Sequence, residues 1–454
     1  MEVLKKKYGL FTAICMVVGI VIGSGVFFKA QNVLAATEGN ALLGILAWII
    51  GGLIMVVVAS TFAIMATKYE RVNGLVDYAE FLCGKTYAYY VGWFLSTIYF
   101  PAMTSVLAWV SARYTLVAIL GNDSGIFSAE CITIALLYLV LSYAMNSIAP
   151  KIAGKFQVST TVIKLVPLAF IAIVGTIIGL VNGNLVNNFN PEFTAQLTGG
   201  EGNLFAAICC TAFAYEGWII ATAINAEIKD AKKNLPLALC IGTLIIVAVY
   251  VLYYIGVLGL AGMDELLANG TYVAFGAFGS VGATIINVLV IISCLGTLNG
   301  LMLACTRSYY SLAARNEGVK PETFVQIDKE TNMPHNSAIL ALATCAVWFA
   351  YFVGGQAFGW FGDYAFDSSE LPNITIYPLY IPILILFMKR EKDLHPVKRF
   401  VLPILSLVGV VVMVIASIAS HGIKNLYYLV VFAVIMALGA LFMRYNNRKL
   451  KKNS

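Results

Sequence analysis

Apolar runs of about twenty residues recur along almost the whole chain, and no other feature restricts its fold as much. A helix rises about 1.5 Å per residue, so each run can cross the roughly 30 Å hydrocarbon core of a bilayer. Of the 454 residues, 60% are hydrophobic and 11% are charged, where soluble domains carry about 25% charged residues. Within lipid each backbone N–H and C=O needs a partner inside the protein, which leaves helices or a closed barrel. A barrel would show alternating segments of about ten residues, and none occur. The expected fold class is all-α, a polytopic membrane protein.

Twelve transmembrane helices are expected, with boundaries good to several residues. They cover about 9–36, 41–66, 86–119, 126–147, 156–181, 203–228, 236–261, 273–313, 337–354, 359–388, 400–420 and 425–444. With the N-terminus placed in the cytoplasm, 25 of the 29 Lys and Arg residues fall in cytoplasmic segments. The other four are Lys29, Arg113 and Lys164 within spans and Lys424 outside. Basic loops stay on the cytoplasmic side, so this segregation supports the span count, a multi-pass cell-membrane location and cytoplasmic N- and C-termini.

Several other classes fall away. The net charge of +6 is explained by loop asymmetry, so it does not imply a nucleic-acid partner. Nine cysteines lie mostly in apolar segments with no C-x-x-C pair, which indicates neither a disulfide framework nor a zinc site. The first apolar stretch is too long and too interrupted for a signal peptide. His335, His395 and His421 lie near loops or span ends. No metal cluster, G-x-S-x-G or phosphate-binding loop is present, so neither an enzyme nor a cofactor is expected.

The first span is broken. Gly19 to Phe28 reads G-I-V-I-G-S-G-V-F-F, and each glycine weakens a helix by roughly 1 kcal/mol. Small residues also allow close helix packing, and Gly19-x-x-x-Gly23 fits that reading. The sixth span carries Thr211-Ala-Phe-Ala-Tyr-Glu-Gly-Trp218, with an acid, Glu216, at membrane depth. Two interrupted spans, five apart and opposite in direction, are the sign of an inverted five-helix repeat around a central site. The first copy would be residues 1–185 (spans 1–5), the second 200–390 (spans 6–10), with spans 11 and 12 at 399–445. That 5+5 inverted repeat has discontinuous helices 1 and 6.

With these motifs in place, the chain resembles the amino acid–polyamine–organocation superfamily, and within it the L-type amino acid transporters and their bacterial relatives. Gly19–Phe28 matches the first-span signature. Phe213-Ala-Tyr-Glu-Gly-Trp218, followed by Glu227 and Asn234-Leu-Pro236, looks like the sixth span and its loop. Gly296-Thr-Leu-Asn-Gly300 through Arg307 to Ala313-Ala-Arg315 looks like the eighth-span signature, and Pro101 with Ala112-Arg-Tyr114 agrees in span 3.

An amino acid offers a carboxylate and an ammonium group. N–H donors at Gly23, Ser24 and Gly25 suit the carboxylate, because a half-helix N-terminus attracts anions. The resemblance implies that carbonyls of Val21, Phe213, Ala214 and Glu216 take the ammonium. Phe213 and Tyr215 would be cavity walls or gates, although for Tyr215 ordinary aromatic packing is the stronger reading. Glu216 is either a proton relay, a substrate contact or a brace for the broken helix. Lys164 stands halfway through span 5, where an unpaired ammonium is costly. The resemblance implies that it takes the place of a sodium ion, bridging spans 1 and 8 near Ser293. Glu227 and Arg307 would form a cytoplasmic gate or a surface pair.

Span 10 departs from the pattern. Asp367 and Glu370 are acids where relatives are usually apolar, and Pro372, Pro378 and Pro382 would kink the helix repeatedly. Either this is an unusual outer loop, or it places negative charge over the cavity.

The leading expectation is a secondary active transporter of small neutral L-amino acids, by sodium-independent exchange or linked to protons. The alternative is a carrier of cationic amino acids or polyamines, with a channel or nutrient sensor as further classes. The partners implied are an amino acid substrate and membrane lipid. The family's animal members join a glycoprotein through a cysteine between spans 3 and 4. The loop at about 120–127 has no cysteine, so no disulfide-linked subunit is expected.

Overall fold

The computed structural model describes residues 9–23, 25–69, 74–120, 125–190, 192, 202–218, 228–364 and 368–453. Among the described residues, ten helices are long and apolar enough to cross a membrane. They are α3 (Ala41–Lys68), α5 (Lys85–Leu120), α6 (Ala129–Ser147), α7 (Pro150–Val181), α9 (Lys232–Leu260), α10 (Val273–Ala313), α11 (His335–Gln356), α12 (Ser368–Arg390), α13 (Val397–His421) and α14 (Lys424–Lys449). Two shorter apolar segments lie among them. One is the pair α1 (Leu10–Val21) and α2 (Gly25–Ala36). The other is α8 (Leu204–Tyr215). The amphipathic α4 (Leu75–Cys83) connects α3 to α5. The chain is a polytopic membrane protein.

Local sequence explains the ends. Asn40, Ser128 and Asn203 accept backbone N–H groups of Leu43, Cys131 and Ala206 at the starts of α3, α6 and α8, supplying partners that a helix start lacks. Ile22 turns extended after α1. Glu216 does the same after α8, and Gly217 follows with φ +108°. That φ is open to glycine and strained for other residues.

Pro101 shapes α5. It cannot donate to Thr97, four residues earlier, and the Trp348 indole Nε1 donates to the Thr97 carbonyl instead, at 2.8 Å. The preceding turn, Leu95–Tyr99, is π-helical, and such turns re-aim side chains.

The broken segments sit at the centre. α1 packs on α9, α2 on α8, and α9 along α3. Trp48, Tyr250 and Tyr254 are fully buried around them. The outside is apolar: Leu137, Val158, Ile173, Val347 and Val408 are all exposed. Only 11% of the apolar window of α14 is buried. Lipid supplies the missing contact for such a face.

Ion pairs gather at the end bearing the basic loops. Arg315 pairs with Asp77, and its Nη1 lies 3.1 Å from Glu80. Lys68 pairs with Glu391 and, at 2.6 Å, with Asp393. Beside them Glu317, half-buried, has a carboxylate oxygen without a hydrogen-bond partner among the described residues. Burial pushes its carboxyl up to about 7, against the opposing pull of Arg315.

The folded chain therefore holds a proton between about pH 4.5 and 7 that the unfolded chain has released. Stability from this group is full below that window and is lost as pH rises through about 7. Glu317→Gln should flatten this component. We expect the apparent melting temperature in detergent to fall less between pH 5 and 8 in the variant than in the unmutated protein. Equal falls would show that Glu317 does not carry it.

Candidate substrate site

Both helix breaks open on one cavity of about 210 Å³. Val21, Gly23 and Gly25 line it from the first break, and Phe213, Ala214, Glu216 and Gly217 from the second. Tyr99 and Met103 of α5, Gln157 and Lys164 of α7, and Thr297 and Gly300 of α10 close the rest. The backbones meet tightly. A Cβ on Gly25 would lie 2.6 Å from the Ala214 Cα, and one on Gly23 would lie 2.5 Å from the Thr297 hydroxyl. At these two positions glycine is the residue that permits the approach.

The start of α2 leaves backbone N–H groups without helical partners, next to the cavity wall at Gly25. Ser24 lies outside the described residues. The ends of α1 and α8 offer carbonyls. One residue that sequence reasoning missed, Tyr250 of α9, bridges them: its hydroxyl lies 3.0 Å from the Ala214 carbonyl and 3.4 Å from that of Val21. Its only sequence signal is a tyrosine inside the apolar run Val247-Ala-Val-Tyr250. Tyr250→Phe leaves buried acceptors short of a donor, which costs about 1–3 kcal/mol. A lowered melting temperature together with reduced uptake is the expected result. An unchanged melting temperature would mean that the bridge does not hold the two breaks together.

The π turn of α5 brings the Tyr99 hydroxyl to Glu216, to which it donates a hydrogen bond. Lys164 is 1% exposed. Its ammonium has no hydrogen-bonding side-chain partner among the described residues, and the side chain lines the cavity. Ser293 is buried with its hydroxyl unpartnered, and it is not part of the cavity wall. Tyr215 is not part of it either. It packs between Trp48 and Tyr250 and donates to the Trp48 carbonyl at 2.7 Å, which is the packing role. Arg307 is exposed at the basic end of α10, while Glu227 lies outside the described residues. Gln157 was not singled out in the sequence. Its Oε1 accepts from Asn299 Nδ2 at 3.0 Å.

Glu370 corrects the reading of span 10. It is buried, and its Oε1 accepts from the Lys29 ammonium at 2.8 Å. Lys29 in turn lies over the rings of Phe28 and Phe213. The carboxylate is paired, so it adds no free negative charge to the cavity. Asp367 lies outside the described residues. Arg113 is likewise engaged, donating to Gln31 at 3.2 Å.

Residues 8–442 match the family model described as amino acid permease. The chain belongs to the amino acid permease family. Among its curated relatives, the permease is 33% identical to the serine/threonine exchanger SteT of Bacillus subtilis over 318 residues, 69% of each chain. It is 27% identical to the human b(0,+)-type amino acid transporter 1, over 94% of this chain and 86% of that one. It is 29% identical to the rabbit large neutral amino acids transporter small subunit 2, over 71% of this chain and 60% of that one. These relatives place it on the L-type side of the amino acid–polyamine–organocation superfamily.

Proposed function

We propose that this permease exchanges small neutral L-amino acids, of the alanine, serine and threonine type, across the cell membrane without sodium. The carrying observation is the cavity lined by both helix breaks, with a buried ammonium in its wall and a paired Glu370 beyond it. Likeness to a serine/threonine exchanger supports the substrate class. The pairing of Glu370 removes one of the three acids, with Asp367 and Glu216, that motivate a cationic amino acid or polyamine.

In this reading the substrate carboxylate rests on the N–H groups at Gly23, Ser24 and Gly25. The ammonium rests on the carbonyls of Val21, Phe213, Ala214 and Glu216, and Phe213 forms a wall. Lys164 stands where a sodium ion would otherwise bridge the spans near Ser293, and Glu227 with Arg307 closes the cytoplasmic side. Twelve spans in a 5+5 inverted repeat, residues 1–185 and 200–390 with 399–445 added, would rock about this site. The termini lie in the cytoplasm, and no disulfide-linked glycoprotein subunit is required.

Counterflow in proteoliposomes tests the reading. Vesicles loaded with unlabelled serine and diluted into labelled serine without sodium should accumulate label, and threonine and alanine should compete. Competition by arginine or putrescine instead would move the assignment to cationic substrates. Uptake that requires a proton gradient, with no counterflow, would replace exchange by proton symport.

A further inference from the structure

Beyond Phe213, one helical turn back along α8, three side chains with metal-ligating atoms converge. Glu370 Oε2 faces the His421 Nε2 at 3.1 Å and the Cys209 Sγ at 3.7 Å. The three ligand atoms lie within 4.8 Å of one another. Cys209 belongs to α8, Glu370 to the start of α12 and His421 to the end of α13. Cys209 and Glu370 are buried, and the His421 side chain is 9% exposed, which gives the cluster an edge to solvent.

The imidazole carries the argument. His421 Nδ1 lies 3.3 Å from the Ser417 carbonyl. In the tautomer with its hydrogen on Nδ1, that carbonyl accepts it. In the neutral ring Nε2 then turns its lone pair towards a carboxylate oxygen, and two acceptors would face each other at 3.1 Å. A positive centre between them relieves the repulsion: either a second proton on the ring or a metal ion. Imidazole ligands are oriented in this way, with the far N–H on a backbone carbonyl. Asn373 Nδ2 donates to the Cys209 sulfur at 3.0 Å, which holds the sulfur in place beside the carboxylate.

Spacing agrees. Zinc bonds of about 2.0–2.3 Å in tetrahedral array separate ligand atoms by about 3.3–3.8 Å, near the observed 3.1 and 3.7 Å. Lys29 holds the opposite carboxylate oxygen, Oε1, and Oε2 is the oxygen that faces His421 and Cys209.

We propose that Cys209, Glu370 and His421 form a binding site for a divalent transition-metal ion of the zinc class, with a fourth position open to water. A thiolate, an imidazole and one carboxylate select such an ion over calcium or magnesium, which take oxygen ligands. A bound ion would tie α8 to α12 and α13. The site is separate from the substrate cavity and does not depend on which amino acid is carried.

The test is titration of the purified full-length protein in detergent with Co²⁺, followed by absorbance. One ion per chain and a thiolate-to-cobalt charge-transfer band are expected. Cys209→Ser should abolish the band, His421→Gln should weaken binding at least about tenfold, and Cys210→Ser should leave both unchanged. X-ray absorption at the zinc edge of the unmutated, Zn²⁺-loaded protein needs no variant to fold, and should show one sulfur among nitrogen and oxygen neighbours. No stoichiometric binding, a band that survives Cys209→Ser, or a shell without sulfur would overturn the site and leave a hydrogen-bonded cluster only.

Discussion

Gly25→Val should reduce uptake to below about a tenth of the unmutated rate while the protein still reaches the membrane. A Cβ at this position meets the Ala214 Cα at 2.6 Å, and that atom is backbone. The side chain cannot turn away from it, so α2 and α8 must separate. Overpacking of this kind costs about 1–3 kcal/mol, which a bundle of this size can absorb. The site is affected more strongly, because the same shift moves the N–H groups at the start of α2 and the carbonyl end of α8 together.

Gly300→Ala is the matched control. Gly300 lines the same cavity, but its added Cβ would meet Gln157 at 3.5 Å, an ordinary contact. Labelled serine uptake, normalised to protein in the vesicles, should separate the two. Full uptake by Gly25→Val would remove this break from the substrate site.

Much of this arrangement is written locally in the chain, and the rest is not. The apolar runs, the Gly23-Ser-Gly25 interruption and the acid of Phe213-Ala-Tyr-Glu216 are each visible within about ten residues. Such signals depend on neighbours along the backbone. The Gly23-Ser-Gly25 interruption follows α1 after twelve residues, and α8 ends after twelve at Tyr215, ahead of Gly217. Contacts between distant segments leave no such trace. Lys29 and Glu370 are 341 residues apart, and each alone reads only as a charge inside or beside a span.

Pairing, the fact that turns Glu370 from a substrate-attracting acid into a structural one, exists only after the helices pack. Tyr250 is silent for the same reason: a tyrosine in an apolar helix looks like core until its hydroxyl is seen between two broken ends. The cluster of Cys209, Glu370 and His421 shows how absence of a sequence motif fails as a guide. Ligands gathered from three helices have no spacing to recognise.

Lys164→Met separates transport from folding. The ammonium is 1% exposed in the middle of α7 and is not hydrogen-bonded to any described side chain. A lone charge at membrane depth costs about 2.5–3.5 kcal/mol on insertion scales, and methionine of similar length removes that cost without opening a large void. Apparent thermal stability in detergent should hold or rise. Transport should move the other way. A charged hydrogen-bond donor in the cavity wall is worth about 1.5–3 kcal/mol to a carboxylate or to the unwound segment it steadies, so uptake should fall about tenfold to a hundredfold. Opposite signs in the two measurements would identify Lys164 as a residue kept for function at the expense of stability. A fall in both would make it a structural brace. Unchanged uptake would remove it from the transport cycle, leaving the carboxylate to the N–H groups of α2 alone.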